Sequence, residues 1–376
     1  MAIKVQKSDP GTTEQAYDEV KLLRSAQEGD VRDPARALVV RLLEEFTVMG
    51  PRGSHVCLAL ELLGPSLLHC LPSIGGITIR NIKLVMQRVL QGLDYLHIKA
   101  GIIHTDVKPE NVLLVNSGPL NLAVDNTRLR VKLADLGNSC WRKKHFSQVI
   151  GTQEYRAPEV LLETGYDTPS DIWSAACLAF ELATGDYLFF AQVEPKDLRM
   201  LAHMTAMLGE LPCKMRKVHD KFGRAKLKNI PHYISLEQRI EQEVEMEEQE
   251  VDAFSQWLRT MLTLDPNLRA TAGAAASHPF LDLGVKPAKT VARIKAYGHT
   301  TDPKLPPLDC ILEDVFMDVA KKGLCSGQAL MKYLDRQFPG YGSKWKQWKV
   351  KRALDWMMAR GGLVQVSYAL TLKPAG

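Results

Sequence analysis

Two rhythms of apolar residues run through this chain, and each predicts a kind of element. Met1-Ala2-Ile3-Lys4-Val5 alternates with the period of a strand. Residues 14–24 set Ala16, Val20 and Leu23 at helical spacing and predict an amphipathic helix. Residues 55–63, His-Val-Cys-Leu-Ala-Leu-Glu-Leu-Leu, form an apolar run that stops at Gly64-Pro65, the pattern of a buried strand leading into a linker. A second amphipathic helix is predicted over 80–99, with Ile82, Val85, Met86, Val89, Leu93 and Leu96 on one stripe. Short strands over 112–115 and 129–133, joined by a polar turn with Asn116-Ser117-Gly118-Pro119, predict a hairpin. Thr168-Pro169-Ser170-Asp171 reads as a capping box with proline at the first helical position. It opens a helix over 172–183 that is apolar nearly all round, and Gly185 ends it. Helices follow over 254–264 and 270–278.

Composition narrows the class. With 376 residues, 45% hydrophobic and 24% charged, the chain has the balance of a globular protein of two or three domains. No run reaches the roughly 18 apolar residues of a membrane span, and the first residues lack the apolar centre of a secretory signal, so no membrane partner is expected. The seven cysteines (Cys57, Cys70, Cys140, Cys177, Cys213, Cys310 and Cys325) are scattered and never in C-x-x-C spacing, which indicates neither a disulfide framework nor zinc. Most are expected to be small buried hydrophobes in a reducing compartment.

The net charge of +5 is unevenly spread: residues 311–376 carry 11 Lys and Arg against five Asp and Glu. Residues 283–309, with Pro287, Pro303, Pro306 and Pro307 and few large apolar side chains, read as a linker. Residues 310–376 then read as a separate small domain of three helices and a hairpin.

The chemistry is concentrated in Ile103-His104-Thr105-Asp106-Val107-Lys108-Pro109-Glu110-Asn111 and Ala134-Asp135-Leu136-Gly137. Asp106 can accept the proton of an attacking hydroxyl, and Lys108 can neutralise charge on a transferred group. Asn111 and Asp135 can hold magnesium over nucleotide phosphates. The predicted hairpin between them would bring Asn111 and Asp135 together despite their separation. H-x-D-x-K-x-x-N followed by D-x-G is a compound pattern with few accidental matches. A charged loop beside a strand is the bland alternative.

These motifs resemble the eukaryotic protein kinases. Thr105 in H-x-D, Asn138-Ser139-Cys140-Trp141, Lys144-His145-Phe146 and the stretch 166–189 give a narrower resemblance to the SR-protein kinase family, extending over residues 1–282. The resemblance implies an α+β, two-lobe fold with a mostly helical second lobe, ATP and magnesium as cofactors, and serine/threonine protein substrates.

By the same resemblance Lys4 grips nucleotide phosphates, Glu19 orients Lys4, and Glu61 and Leu63 meet adenine through backbone N–H and C=O groups. Thr152 is expected to bond Asp106 and Lys108, Glu159 to pair with Arg269, and Asp171 to hold the catalytic-loop backbone. The strand pair and glycine-rich loop that precede the lysine in kinases are not in the sequence, so the Lys4 strand is expected at a sheet edge. A start at an internal methionine and a weakened or inactive kinase both fit. Thr105 has no charge to pair with a loop phosphate, so activity independent of activation-loop phosphorylation is expected.

Two charge runs stand outside the motifs: seven basic residues in 214–228, and eight acidic residues against one arginine in 237–252. They read as solvated faces or, for the acidic run, as a field that draws Arg-Ser-rich substrates. Residues 351–365 resemble the third helix and wing of the linker-histone globular domain. A winged helix bearing Lys344, Lys346, Lys349, Lys351, Arg352 and Arg360 implies DNA binding through phosphates, or protein contact. A cytoplasmic or nuclear location is expected. The competing class is a pseudokinase scaffold carrying a DNA- or protein-binding winged helix.

Overall fold

The computed structural model describes residues 1–51, 53–71, 77–115, 122, 125–126, 128–191, 195–216, 234–283 and the backbone of 291–294. The chain divides into two units, Met1–Phe190 with Asp197–Ile294, and Ala191–Lys196 with Lys295–Gly376. The proposed winged helix at 310–376, its basic residues, and most of the basic run lie outside the described residues.

The first lobe is built on a three-stranded antiparallel sheet. β1 (Ala2–Val5) pairs with β3 (Gly53–Leu60), and β3 pairs in turn with β2 (Leu42–Gly50). Among the described residues β1 is therefore an edge strand, as expected, and Ile3 and Val5 are exposed on it. Helix α1 (Pro10–Glu28) packs against β2 and β3. It runs longer than its apolar stripe predicted because Asp9 caps its start, its carboxylate accepting from Thr12 N–H at 3.0 Å, with proline in the first turn. Ala16, Val20 and Leu23 form its buried face.

Short helix α2 (Leu67–Cys70) and strand β4 (Ile77–Thr78) lead to α3 (Ile79–Tyr95), and every member of the predicted stripe is buried. The helix ends in a π-turn over Leu96–Ala100 rather than running straight to residue 99, and Gly101 in the left-handed region (φ 66°) breaks it. Next come β5 (Ile102–Ile103) and the antiparallel pair β6 (Val112–Leu114) and β7 (Val131–Leu133), whose register sets Val112 opposite Leu133. β8 (Cys140–Trp141) returns to pair with β5.

The helical lobe comprises α4 (Pro158–Leu161), α5 (Pro169–Thr184), α6 (Lys196–Leu208), α7 (Leu236–Glu243), α8 (Glu248–Met261) and α9 (Ala272–Ala276). α5 is buried along almost its whole length, as a helix apolar on all sides must be, and Gly185 at φ 73° closes it. Its Trp173 stacks on Phe189 at 5.4 Å, while Phe254, Trp257 and Phe280 form a second aromatic cluster.

Two expectations change here. Thr168 does not cap α5: it already has helical angles and makes no side-chain cap bond, and Asp167 instead accepts from Thr168 N–H at 2.7 Å. Asp171, the box's supposed fourth member, is engaged elsewhere. Within the proposed linker, residues 291–294 form strand β10, which fills the gap between β4 and β9 (Val244–Glu245). Two short strands left open on one edge each provide the backbone partners that a proline-rich composition did not announce. Of the cysteines, Cys57, Cys70, Cys140 and Cys177 are buried, Cys213 is exposed, and Cys310 and Cys325 lie outside the described residues.

Candidate active site

Lys4 sits on the edge strand with its ammonium between two carboxylates. Nζ lies 2.8 and 2.9 Å from the oxygens of Glu19 on α1 and 2.7 Å from Asp135 Oδ1. Glu19 is buried at 2% exposure, and Gln6 also donates to it at 3.2 Å. Burial pushes the Glu19 carboxyl up, with Lys4 opposing. Burial also works against the Lys4 charge, but Glu19 and Asp135 outweigh it and hold the ammonium above its ordinary pKa. Asp135 is the converse case: burial raises it, and the Lys4 charge brings it below the usual carboxylate range.

The backbone at Asp135 is left-handed, φ 61°. Gly137, two residues on, is pressed so close to this cluster that an added Cβ would stand 3.1–3.2 Å from Asp135, Glu19 and Lys4. Gln15 of α1 donates to the Gly137 carbonyl at 2.8 Å, tying the helix that carries Glu19 to the loop that carries Asp135.

Around Asp106 the order is tighter. Its Oδ1 accepts from Thr152 N–H at 3.1 Å and the Thr152 hydroxyl at 2.8 Å. Its Oδ2 accepts from Lys108 at 2.8 Å and Asn111 Nδ2 at 3.2 Å. Lys108 also reaches the Thr152 hydroxyl at 2.8 Å, so both expected Thr152 contacts are present. Asn111 Nδ2 donates to the Asp106 carbonyl as well, at 2.8 Å. The β6–β7 pair brings the two metal-ligand candidates together, Ala134 N–H donating to the Asn111 carbonyl at 2.9 Å. Asn111 Oδ1 and Asp135 Oδ2 take no donor among the described residues. Hard oxygens of this kind suit magnesium, though no cluster of three or more His, Cys, Asp or Glu side chains stands ready for a metal among the described residues.

The loop itself hangs on Asp171. This buried carboxylate accepts from the N–H groups of His104 (2.8 Å) and Thr105 (2.7 Å) and from His97 Nε2 (2.8 Å). Thr105 is held at φ 69°, an unfavourable conformation for a β-branched residue, costing on the order of 1–3 kcal/mol. Its hydroxyl donates to the Asn138 carbonyl at 2.7 Å, and Ser139 returns the stitch to the His104 carbonyl at 2.9 Å. Further along, Arg142 makes a two-pronged pair with Asp167, at 3.0 and 2.9 Å, and His145 stacks on Tyr166 at 4.3 Å.

The linker candidates divide. Glu61 N–H is already bonded to the Arg41 carbonyl at 3.0 Å, leaving only its C=O for a ligand, whereas Leu63 N–H takes no acceptor among the described residues. The Glu61 side chain is engaged too, accepting from Arg41 N–H at 2.8 Å and Lys132 at 2.6 Å. Glu159 and Arg269 pair as expected, both buried, at 2.6 and 2.9 Å.

Comparison with known proteins agrees with this arrangement. Residues 1–281 match the protein kinase domain family. A serine/threonine-protein kinase SRPK of Physarum polycephalum is 34% identical over 339 residues, covering 75% of this chain and 79% of that protein. SRSF protein kinase 3 of Homo sapiens is 26% identical, covering 75% and 82%. A crystallised kinase domain superposes with a TM-score of 0.58 at 28% identity, over 75% of this chain and 87% of that one. The chain thus belongs to the protein kinase family, and it is a serine/threonine protein kinase.

Proposed function

We propose that this site phosphorylates serine or threonine in Arg-Ser-rich protein segments, with Asp106 as base. The observation that carries the reading is two side-chain groups, Lys4 with Glu19 and Asp135, and Asp106 with Lys108 and Asn111, linked by the Ala134 N–H to Asn111 carbonyl bond. Mg-ATP, when bound, supplies the transferable γ-phosphoryl group and the metal charge that screens it. Asn111 and Asp135 hold the metal, Lys4 takes the phosphates while Glu19 keeps it oriented, and Glu61 C=O and Leu63 N–H meet the adenine. Asp106 removes the proton from the substrate hydroxyl as its oxygen bonds to phosphorus and the bond to the ADP oxygen breaks. Lys108 offsets the charge on the group in transit.

The Arg-Ser preference is supported by the SRSF protein kinase relatives and by the acidic stretch 237–252. Some of its charge is spent internally: Arg259 pairs with Glu237, pulling that carboxyl down to about 2. Glu241, Glu247 and Glu248 are solvent-exposed. Reversing these three to lysine is expected to raise KM for an Arg-Ser peptide at low salt, with the difference fading as salt shortens the Debye length to about 8 Å. Identical KM values at low salt would remove the field from the account.

Activity is expected without loop phosphorylation. The Thr105, Ser139, Arg142–Asp167 and His145–Tyr166 contacts order the segment after Asp135 using only the protein's own groups. Phosphatase treatment of the active enzyme should leave its rate unchanged, and loss of activity would refute this.

A further inference from the structure

The Glu61–Lys132 pair is a polar contact for which the catalytic roles give no reason. Its side chains are 19% and 15% exposed, so the pair is largely out of water, unlike the surface pairs that contribute little. Glu61 lies in the segment between the lobes. Lys132 lies in β7, three residues before Asp135, and β7 is paired with β6, which starts directly after Asn111. The same hairpin grips the segment twice more, Gly64 N–H donating to the Leu114 carbonyl at 2.7 Å and Leu114 N–H to the Pro65 carbonyl at 3.0 Å. At its other end, Val40 N–H donates to the Leu133 carbonyl at 2.8 Å, one residue before Arg41, which is bonded to Glu61 through both its N–H and its C=O.

The two ends of the nucleotide site are thereby fastened to one two-stranded element. A nucleotide can span only a limited range of distances from base to phosphates, and it binds well only where the backbone groups of 61–63 and the oxygens of Asn111 and Asp135 are spaced to suit it. We propose that Lys132, acting through Glu61, is a positioning residue that sets this spacing. The inference rests on the nucleotide reading above and adds to it the side chain that holds its two halves in register. Glu61 is well placed for this because Arg41 already holds its N–H and one carboxylate oxygen, so that Lys132, reaching the same oxygen, ties an otherwise anchored linker residue to β7.

The test uses the full chain and calorimetric titration with Mg-ATP and, separately, with adenosine, which engages the linker end alone. Lys132→Met and Glu61→Gln should each weaken Mg-ATP about tenfold, the change that 1.4 kcal/mol represents. Adenosine binding should change far less. The double variant should be no weaker than either single one, because both remove the same contact, and Lys132→Arg should restore most of the affinity. In kinetics KM for ATP rises while kcat holds. Unchanged Mg-ATP affinity, equal weakening of adenosine, or additive losses would each overturn the proposal. If the unaltered chain binds adenosine but not Mg-ATP, or neither, it is the nucleotide reading that fails. Should Lys132→Met fail to fold by circular dichroism, Glu61→Gln with Lys132→Arg carries the same comparison.

Discussion

Asp106→Asn is expected to lower kcat by about 10²- to 10⁴-fold, the range a positioned general base contributes, with little change in KM for ATP. The substitution keeps the shape of the side chain and removes its ability to take a proton. Burial raises the Asp106 carboxyl, but the Lys108 hydrogen bond and charge and the Thr152 hydroxyl outweigh it, and the group ends below its ordinary 3.8. The sign follows: a carboxylate lowered in the folded state is ionised throughout the neutral range, and its contribution is lost only as pH falls through that lowered value. A fall in rate between pH 8 and pH 5 must then come from another group. Steady-state kinetics of the Asn variant against the unaltered enzyme, with peptide saturating, checks the assignment. A variant within tenfold of the parent would mean that proton removal is not its role.

Glu159→Ala is expected to cost on the order of 3–5 kcal/mol of stability, the penalty for leaving a buried charge without its partner. Arg269 has nowhere to go. Its guanidinium donates to both Glu159 oxygens, to the Pro169 carbonyl at 2.8 Å and to the Thr263 carbonyl at 2.9 Å, and lies 5.1 Å from the Trp173 ring. In the intact protein its side chain is shut off from solvent. At a few degrees per kcal/mol, the melting temperature should fall by roughly 10 °C. Glu159→Leu combined with Arg269→Met removes both charges and should be less damaging than Glu159→Ala alone, although two carbonyls then lose a donor. Thermal unfolding followed by circular dichroism decides it, and a single variant that melts within about 2 °C of the parent would show that the pair contributes no more than a surface one.

How far the sequence could be read depended on whether a residue's role shows in its own neighbourhood. Asp106, Lys108, Asn111 and Asp135 declare themselves by spacing, and Lys4 by the strand around it. Glu19 came from the family resemblance, on a helix whose apolar face the spacing marks. Lys132 did not announce itself, because a lysine at an outward position of a short strand is usually solvated, and only the fold shows Glu61 across from it. β2 went unpredicted: Leu42-Leu43-Glu44-Glu45 breaks the alternation that marks a strand, and the register shifts between Leu42 and Glu44. The false cap at Thr168 failed for a related reason. Local rules assigned Asp171 to its own helix, while two backbone amides more than sixty positions away in the chain had the stronger need of it.

The stitch between Thr105 and Asn138 joins two groups that carry no net charge. A hydroxyl bonded to a carbonyl sheds no counter-ion when dissolved salt changes, and neither group titrates in the range where cells live. A loop fastened by an added anion can be loosened by ionic strength, by acid or by an enzyme that strips the anion away. At this one point of attachment, none of those levers has a charge to act on.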